Sequence, residues 1–303
     1  MKTLNLKSVG KRALAIGMTA LLTASLFAGC GSSSSGSSSD KSSSTDSASG
    51  TTAKKDLSGN VSTNGSTSME EVIGALSESF MQEYPNVKVT YDATGSGSGI
   101  EAVSNGSTDI GLASRDLKDE EKSKGLEQTT IALDGIAIIV NKDNSLKDIS
   151  LDQIAQIYTG QVTDWSQVGG DSGEIAAIGR EAGSGTRDGF ETVTGTADKC
   201  KYSQELTSTG AVIEAVKNSK SAIGYASFSA VENSKDVKVL TVGGVECNEK
   251  NIKDGSYKVQ RDFNLITKTD TNLSDTAQAF FDYATSKDVA DLITKAGAVP
   301  TAK

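Results

Sequence analysis

The feature that most constrains the fold is a unit that recurs along the chain. A short apolar strand runs into a turn of Gly, Ser and Thr, and a helix with apolar residues three or four positions apart follows. The turns are Gly65-Ser-Thr-Ser68, Gly95-Ser-Gly-Ser-Gly99 and Gly183-Ser-Gly-Thr186. Strands that alternate with helices in this way are typical of parallel sheets covered on both faces. The sequence therefore predicts an α/β protein, which we interpret as two α/β lobes.

The predicted elements follow one another from residue 57 onward. Strands are predicted at 57–61, 87–91, 109–116, 136–140, 175–178, 222–225, 237–242 and 263–267. Helices are predicted at 69–80, from 100, at 151–158, from about 187, around 212–216, at 277–283 and at 287–295. The apolar run at 136–140 is unbroken, which is typical of a buried parallel strand.

Arg180 gives the strongest single indication of a ligand site. Its guanidinium presents a planar fork of donors that suits two oxygens of a carboxylate or phosphate. Gly183 and Gly185 let the chain bend closely around a ligand, and Ser184 and Thr186 add hydroxyl donors where a helix is predicted to start. An ordinary helix start with a capping Ser or Thr is the competing interpretation for this turn taken alone.

The three turns are predicted to share one ligand. In doubly wound sheets, ligands bind beyond the carboxyl ends of the strands, where helix N-termini point inward. Together the turns would offer many neutral donors to one small anion, and the helix dipoles would add a fixed positive potential. Such a site does not depend on the net charge of the chain.

Composition excludes several classes of function. The chain has 303 residues, a formal net charge of -9 and no histidine. The acidic balance argues against nucleic acid or an anionic membrane surface as partner. The lack of histidine excludes His-based triads and Cys/His zinc modules, and no P-loop or Rossmann spacing is present, so we expect no cofactor. Cys200 and Cys247 are predicted either to pair in a disulfide or to remain as two buried thiols.

The first 56 residues are predicted to serve export and anchoring. Basic residues precede an apolar run at 13–28 that is too short for a comfortable membrane span, so residues 1–29 are interpreted as a signal peptide. Leu26-Phe-Ala-Gly-Cys30 resembles the bacterial lipoprotein box, which implies lipidation of Cys30. Residues 31–56 consist almost entirely of small and polar side chains, so residues 30–56 are expected to form a flexible tether.

The folded part resembles the phosphate-binding proteins of bacterial phosphate ABC importers. The resemblance covers residues 57–303 and rests on motifs that occur in the family's order: Gly65-Ser-Thr-Ser68, Gly95-Ser-Gly-Ser-Gly-Ile100, Ile110-Gly-Leu-Ala-Ser-Arg115, Asp134-Gly-Ile-Ala-Ile-Ile-Val-Asn141, Arg180-Glu-Ala-Gly-Ser-Gly-Thr186 and Ala222-Ile-Gly-Tyr225. It implies a type II periplasmic-binding-protein-like fold, with two lobes, a central cleft and two crossing segments. One lobe would comprise 57–136 plus 256–303, and the other 137–255.

The resemblance also implies the residues that bind phosphate. Thr67 and Ser68 would bind from the first turn, and Ser96 or Ser98 from the second. From the opposite lobe, the ligand would be bound by Arg180, Ser184, Gly185 and Thr186.

Two departures from the family pattern change the expected charge balance. Arg115 stands where some relatives carry an aspartate that accepts the proton of phosphate, and Ala182 stands where another aspartate pairs with the binding arginine. A carboxylate acceptor distinguishes protonated phosphate from sulfate, which has no proton to donate. Asp116 is the nearest substitute and Asp134 the second choice. Arg115 is expected either to contact the anion or to pair with one of these carboxylates.

The leading hypothesis from the sequence is a receptor, not an enzyme. It would be a monomer, held by its lipid anchor on the outer face of the bacterial cell membrane, that captures inorganic phosphate and delivers it to a membrane permease. A receptor for sulfate, molybdate or tungstate is the alternative within the class. A surface phosphate-ester hydrolase is disfavoured because histidine is absent, and a purely structural lipoprotein would show no dependence of melting temperature on small anions.

Overall fold

The computed structural model describes residues 57–301 and contains a ten-stranded mixed sheet. The strands of the protein are β1 Gly59–Gly65, β2 Val87–Ala93, β3 Ile110–Ala113, β4 Leu126–Asn141, β5 Asp148–Ile149, β6 Ala176–Arg180, β7 Gln204–Leu206, β8 Ala222–Ser227, β9 Val237–Val239, β10 Thr241–Val242, β11 Gln260–Lys268 and β12 Val299–Pro300. The helices are α1 Glu70–Glu83, α2 Ser96–Ser104, α3 Asp119–Lys122, α4 Leu151–Tyr158, α5 Gly185–Thr194, α6 Thr209–Asn218, α7 Phe228–Val231, α8 Glu249–Lys253, α9 Asp275–Ala284 and α10 Ala290–Lys295. Strands β5 and β10 form a separate pair.

One hydrophobic core, here called the first core, is assembled from both ends of the described chain. It joins buried residues of β1, α1 and β2 to residues of β11, α9 and α10. Phe80 of α1 packs edge-on against Phe280 of α9, with ring centroids 5.3 Å apart. The predicted helical spacing of Val72, Ile73 and Leu76 is confirmed, because all three are fully buried on α1.

A separate core, here called the second core, is built almost entirely from the middle of the chain. It contains buried residues from 136 to 259, together with Val299. Tyr158, Phe190 and Tyr225 form its aromatic centre, where the rings of Phe190 and Tyr225 stack with centroids 4.1 Å apart. Strands β6, β7 and β8 run parallel to one another beside it.

Strand β4 and the segment that continues from Val259 into β11 pass through both cores. On β4, Ile131 and Ala132 belong to the first core and residues 136–140 to the second. On the return path, Val259 lies in the second core and Phe263 in the first. Two adjacent segments, β4 and the stretch from Val259 into β11, therefore contribute residues to both cores.

The expectation of parallel sheets is wrong at these crossing strands. Strand β11 is antiparallel to both β3 and β4, and β4 is antiparallel to β8. The apolar run at 136–140 is buried as predicted, but its burial comes from lying at the centre of a mixed sheet. β4 also begins at Leu126, ten residues earlier than predicted, because the polar stretch Glu127–Thr130 pairs with β11.

Several further expectations concern cysteine and the membrane. Cys200 and Cys247 are free thiols, one half-buried and the other buried, so the disulfide alternative is not the one observed. Burial raises the pKa of both thiols.

The signal peptide, Cys30 and the tether lie outside the described residues. Within 57–301, the helices are all too short or too polar to cross a bilayer.

Candidate functional site

A buried cluster of hydroxyl groups lies where the predicted turns meet. Its members, here called the hydroxyl cluster, are Ser66, Thr67, Ser68, Ser96, Ser114, Thr186 and Thr209, each no more than 5% exposed. Ser68 Oγ lies 2.6 Å from Thr186 Oγ1, and Thr67 Oγ1 lies 3.1 Å from Thr209 Oγ1. These pairs are more than a hundred residues apart in sequence. The turns thus converge in space, with Thr186 and Thr209 beside the second core and the others beside the first.

The first turn is held rigid by local hydrogen bonds. Gly65 ends β1, and a single 3-10 turn, Thr67–Met69, leads into α1. Ser66 caps this turn, because its hydroxyl accepts a bond of 3.3 Å from the Ser68 amide. The Tyr91 hydroxyl donates to the Ser66 carbonyl at 2.8 Å. Thr67 and Ser68 are therefore fixed with their hydroxyls inside the cluster.

The second turn brings Ser96 into the cluster but leaves Ser98 outside it. Ser96 is the first residue of α2, and its Oγ accepts a 3.1 Å bond from the Ser114 amide. Ser98, two residues further along the helix, is exposed. The resemblance allowed either serine, and the structure places only Ser96 among the buried hydroxyls.

The third turn is closely packed against the second. Ser184 caps α5, because its hydroxyl accepts from the Arg187 amide at 3.3 Å. The Gly97 amide donates to the Gly183 carbonyl at 2.9 Å. At Gly185 an added Cβ would lie 2.4 Å from Ser96 Oγ and 2.7 Å from Ser114 Oγ. Only glycine allows this backbone to approach the opposite serines, so the predicted need for glycine here has a steric cause.

Arg180 ends β6 and is almost fully buried, with 2% of its surface exposed. Its Nε donates to the Leu206 carbonyl at 3.0 Å and its Nη2 to the Thr207 carbonyl at 2.9 Å. Its Nη1 lies 3.4 Å from the Thr209 hydroxyl. Burial lowers the pKa of Arg180 to about 10, which still leaves the guanidinium charged at neutral pH.

Among the arginines at 57–301, Arg180 differs from the others in its partners. Arg115, Arg187 and Arg261 each lie within 3.0 Å of at least one carboxylate oxygen. Across residues 57–301, no carboxylate lies within ion-pair distance of Arg180, and its guanidinium contacts only the neutral carbonyl and hydroxyl oxygens named above. A buried charge without a counter-ion is costly unless a ligand supplies the opposite charge.

The remaining acidic and basic candidates have other partners. Arg115 makes a two-point ion pair with Glu121, with both distances 2.7 Å, and lies 3.0 Å from Asp188. Asp116 is exposed and accepts from the Gln128 side chain at 2.8 Å. The structure thus pairs Arg115 with carboxylates, although neither is one of those expected.

Asp134 lies at the crossing of β4 and β11. It is fully buried, and its two oxygens accept from Arg261 Nη2 at 2.8 Å and from Ser227 Oγ at 2.7 Å. One oxygen is held by Arg261 of β11 and the other by Ser227 of β8, so this carboxylate joins β4 to both neighbouring strands.

Sequence reasoning included Ser66 only as part of the first turn, and it missed Ser114 and Thr209. Ser114 directly follows β3, and its Oγ lies 2.8 Å from Ser66 Oγ and 3.2 Å from Ser96 Oγ. Thr209 is the first residue of α6 and bonds to both Thr67 and Ser68. The stretch Leu206-Thr-Ser-Thr-Gly210 is itself a strand-to-helix turn of Ser, Thr and Gly. The pattern of a strand followed by Ser, Thr and Gly, which identified the other three turns, would therefore have identified Thr209 as well.

The cluster and Arg180 together form a donor-rich environment. Hydroxyl groups can turn to donate to an oxyanion, and the guanidinium adds a full positive charge. The hydrogen bonds described above link the hydroxyl groups to one another, and one of them links Thr209 to this guanidinium. None of these bonds involves a carboxylate. The arrangement suits a small tetrahedral anion.

Comparison with protein families gives a match over most of the chain. Residues 42–288 match the model of a PBP superfamily domain. The chain is 33% identical over 250 residues to the phosphate-binding protein PstS of Bacillus subtilis, which covers 80% of this chain and 81% of that protein. It is also 33% identical over 229 residues to the PstS of Staphylococcus haemolyticus, which covers 71% and 72%.

Solved structures give the same result in three dimensions. A Clostridium perfringens structure, assigned as a phosphate ABC transporter substrate-binding protein with bound phosphate, is 38% identical. It superposes with a TM-score of 0.76 and covers 80% of this chain and all of that one. An ABC-type phosphate transport receptor from Vibrio cholerae is 30% identical, with a TM-score of 0.65 and coverage of 79% and 99%. The fold class expected from the sequence is confirmed.

Proposed function

The chain belongs to the PBP superfamily and, within it, to the PstS family of phosphate-binding proteins, and from this premise we propose that it is a receptor for inorganic phosphate. It captures phosphate outside the cell and delivers it to the membrane permease of an ABC importer. The relatives named above are binding proteins of transporters, which supports a role in transport without catalysis.

The observation that carries the proposal is the buried guanidinium of Arg180. Its charge has no carboxylate partner in the described part of the chain, yet the hydroxyl cluster begins 3.4 Å away. A phosphate ion would supply the missing negative charge and accept hydrogen bonds from several hydroxyls at once. The N-terminus of α5 would add the positive end of its dipole.

We assign the phosphate site to the residues that surround this charge. Thr67, Ser68 and Ser96 belong to it from the side of the first core, and Arg180, Ser184, Gly185 and Thr186 from the side of the second. Ser114 and Thr209 join them because they share hydrogen bonds with these groups. Ser98, Arg115, Asp116 and Asp134 are not included, because their side chains are exposed or occupied elsewhere.

The ligand would bind between two lobes, each built around one of the cores. We place residues 57–136 and 256–303 in one lobe and 137–255 in the other. The division follows the memberships of the two cores except beside the crossings, where Ile136, Tyr257, Val259 and Val299 pack in the second core. Strands β4 and β11 are then the crossing segments. Binding would hold the lobes together, since each contributes donors to the same anion.

Processing at Cys30 would place the receptor at the outer face of the cell membrane. The proposal rests on the export signal, the lipoprotein box and the polar tether in the sequence. A tether of residues 30–56 would let the folded part diffuse near the permease while the lipid keeps it at the membrane.

A receptor for another tetrahedral oxyanion is the second candidate. It is favoured by the absence of a carboxylate from the hydrogen bonds described for the cluster, because such a group is the means of rejecting sulfate. The hydroxyl cluster can still accept the proton of phosphate through a hydroxyl oxygen, so a site without a carboxylate would bind phosphate without repelling sulfate strongly.

Calorimetric titration of the purified protein with phosphate and with sulfate tests the assignment. We expect saturable binding of phosphate and weaker binding of sulfate to the same site, shown by competition. Clear binding of sulfate with no heat from phosphate would refute the ligand assignment. A melting temperature that rises with phosphate would confirm in an independent way that the folded state binds it.

A further inference from the structure

An ion pair connects the two cores beside the hydroxyl cluster. Arg115 directly follows Ser114 at the end of β3, whose Leu112 belongs to the first core. Asp188 lies in the first turn of α5, whose Phe190 belongs to the second core. Arg115 Nε lies 3.0 Å from Asp188 Oδ2. The Nε–H does not point well enough at the carboxylate for a hydrogen bond, so the contact acts through charge.

Arg115 is fixed in place by contacts on its own side of the cleft. Its Nη1 and Nη2 donate to the two oxygens of Glu121, each at 2.7 Å, and Nη1 also donates to the Asp116 carbonyl at 2.8 Å. The side chain is only 8% exposed. Because these bonds hold the guanidinium in one orientation, little further side-chain freedom is lost when Asp188 approaches it.

We propose that Arg115 and Asp188 form a clasp that holds the cleft closed over the bound anion, with Asp188 as a positioning residue of the site. This inference rests on the proposed function, because the clasp matters only if the two lobes close on a ligand. Asp188 shares its helical turn with Thr186, so the ion pair fixes the α5 N-terminus against the serines of the first core. Its loss would speed release of the ligand and leave capture nearly unchanged.

The direction of the change in phosphate affinity on removal of Asp188 distinguishes the clasp from a direct electrostatic effect on the ligand. Asp188 is a negative charge close to an anion site, so its removal should strengthen binding if it acted only through its charge on the ligand. If Asp188 acts through Arg115, its removal should weaken binding. The two explanations predict opposite changes for the same substitution.

The test is Asp188→Asn, with phosphate binding followed by stopped-flow and calorimetry. We expect the dissociation rate to rise about 5- to 20-fold, the association rate to stay within about twofold, and the dissociation constant to rise accordingly. The melting temperature without ligand should not change, because the open protein lacks the contact, while the increase caused by phosphate should shrink. A residue with a merely structural role would lower the ligand-free melting temperature instead.

Two further variants complete the test. Asp188→Glu keeps the charge and should restore most of the slow release. Asp143→Asn removes an ion pair of similar length, 3.1 Å to Lys220, whose partners both lie in 137–255, and it should leave release unchanged. Unchanged or tighter binding by Asp188→Asn would overturn the clasp. If the unmodified protein does not bind phosphate, the proposed function fails instead.

Discussion

Two arginines near the cleft illustrate opposite uses of the same side chain. Arg115 is held by Glu121 and Asp188, and its charge is balanced within the protein. Arg180 is more deeply buried, and its contacts are carbonyl and hydroxyl oxygens. Both side chains are buried, so the difference in partners distinguishes a structural arginine from one that is available to a ligand.

The comparison shows how a chain with a net charge of -9 can bind an anion. Only the charge within the buried site matters strongly, because more distant surface charges are screened by solvent and salt. Around Arg180 the protein supplies neutral dipoles, and around Arg115 it supplies carboxylates. Of these two arginines, only Arg180 therefore has a charge that is not balanced by a neighbouring carboxylate.

The largest expected effect comes from removing the unbalanced charge. Arg180→Ala should weaken phosphate binding roughly 100- to 1,000-fold, since a charged, buried hydrogen-bonding group is lost. Lys142→Ala, at an exposed position, should change the dissociation constant by less than about twofold. Calorimetry on both variants measures the difference, and equal losses would contradict the contrast between a buried site charge and a solvated one.

The next largest effect should follow from obstructing the approach of the third turn. Gly185→Ala places a Cβ 2.4 Å from Ser96 Oγ and 3.0 Å from the carbonyl carbon of Ser114. Phosphate affinity should fall about 10- to 100-fold because overpacking keeps the two sets of donors apart. Titration calorimetry gives the affinity, and far-UV circular dichroism should show an unchanged fold. Gly210→Ala, where an added Cβ meets open space, is the matched control.

A smaller effect is expected at the hydroxyl that links Arg180 to the cluster. Thr209→Val keeps the shape of the side chain and removes its hydrogen bonds to Thr67 and Ser68. Affinity for phosphate should fall about 5- to 10-fold, in line with one or two neutral hydrogen bonds. Thr209→Ser keeps the hydroxyl and should restore binding. If the valine variant binds as tightly as the unmodified protein, Thr209 has no role in the site.

The smallest effect is expected beside Arg115. Asp116→Asn should leave the dissociation constant for phosphate within about twofold and should not alter the preference for phosphate over sulfate, because this exposed carboxylate is bound to Gln128. Competition calorimetry with sulfate measures the preference. A marked loss of discrimination between phosphate and sulfate would identify Asp116 as the acceptor of the phosphate proton. The region around Arg115 would then belong to the phosphate site.

Much of the fold follows from local patterns. The helical spacing on α1, the glycine and serine turns before α2 and α5, and the buried run at 136–140 all depend on neighbouring residues, so a single sequence reveals them. The antiparallel pairing of β4 with β11 joins stretches more than a hundred residues apart, and the polar residues that begin β4 carry no alternating pattern. Such pairing is decided by tertiary structure.

The turns of the candidate site were predictable to the extent that they reuse one local rule. Ser and Thr after a strand mark donors at a helix start, which identified the three turns, and the family resemblance then pointed to Thr67, Ser96 and Thr186 within them. Side-chain direction was not predictable, because Arg115 is turned toward Glu121 by a bond to a separate helix, and Ser98 is turned outward by its position on α2. The same limit explains why Asp134 could be considered for the site although it holds the crossing strands together.

The composition of the first core affects the order in which the polypeptide can mature during synthesis. Val61, Ile73 and Phe80 leave the ribosome early, but their packing partners Phe263, Phe280 and Ile293 are made last. The second core consists of residues from the middle of the chain together with Val299, so it can pack before the C-terminal partners of the first core have been made. Truncation before β11 would therefore leave the N-terminal segment without a core, although every residue of its turns would be present.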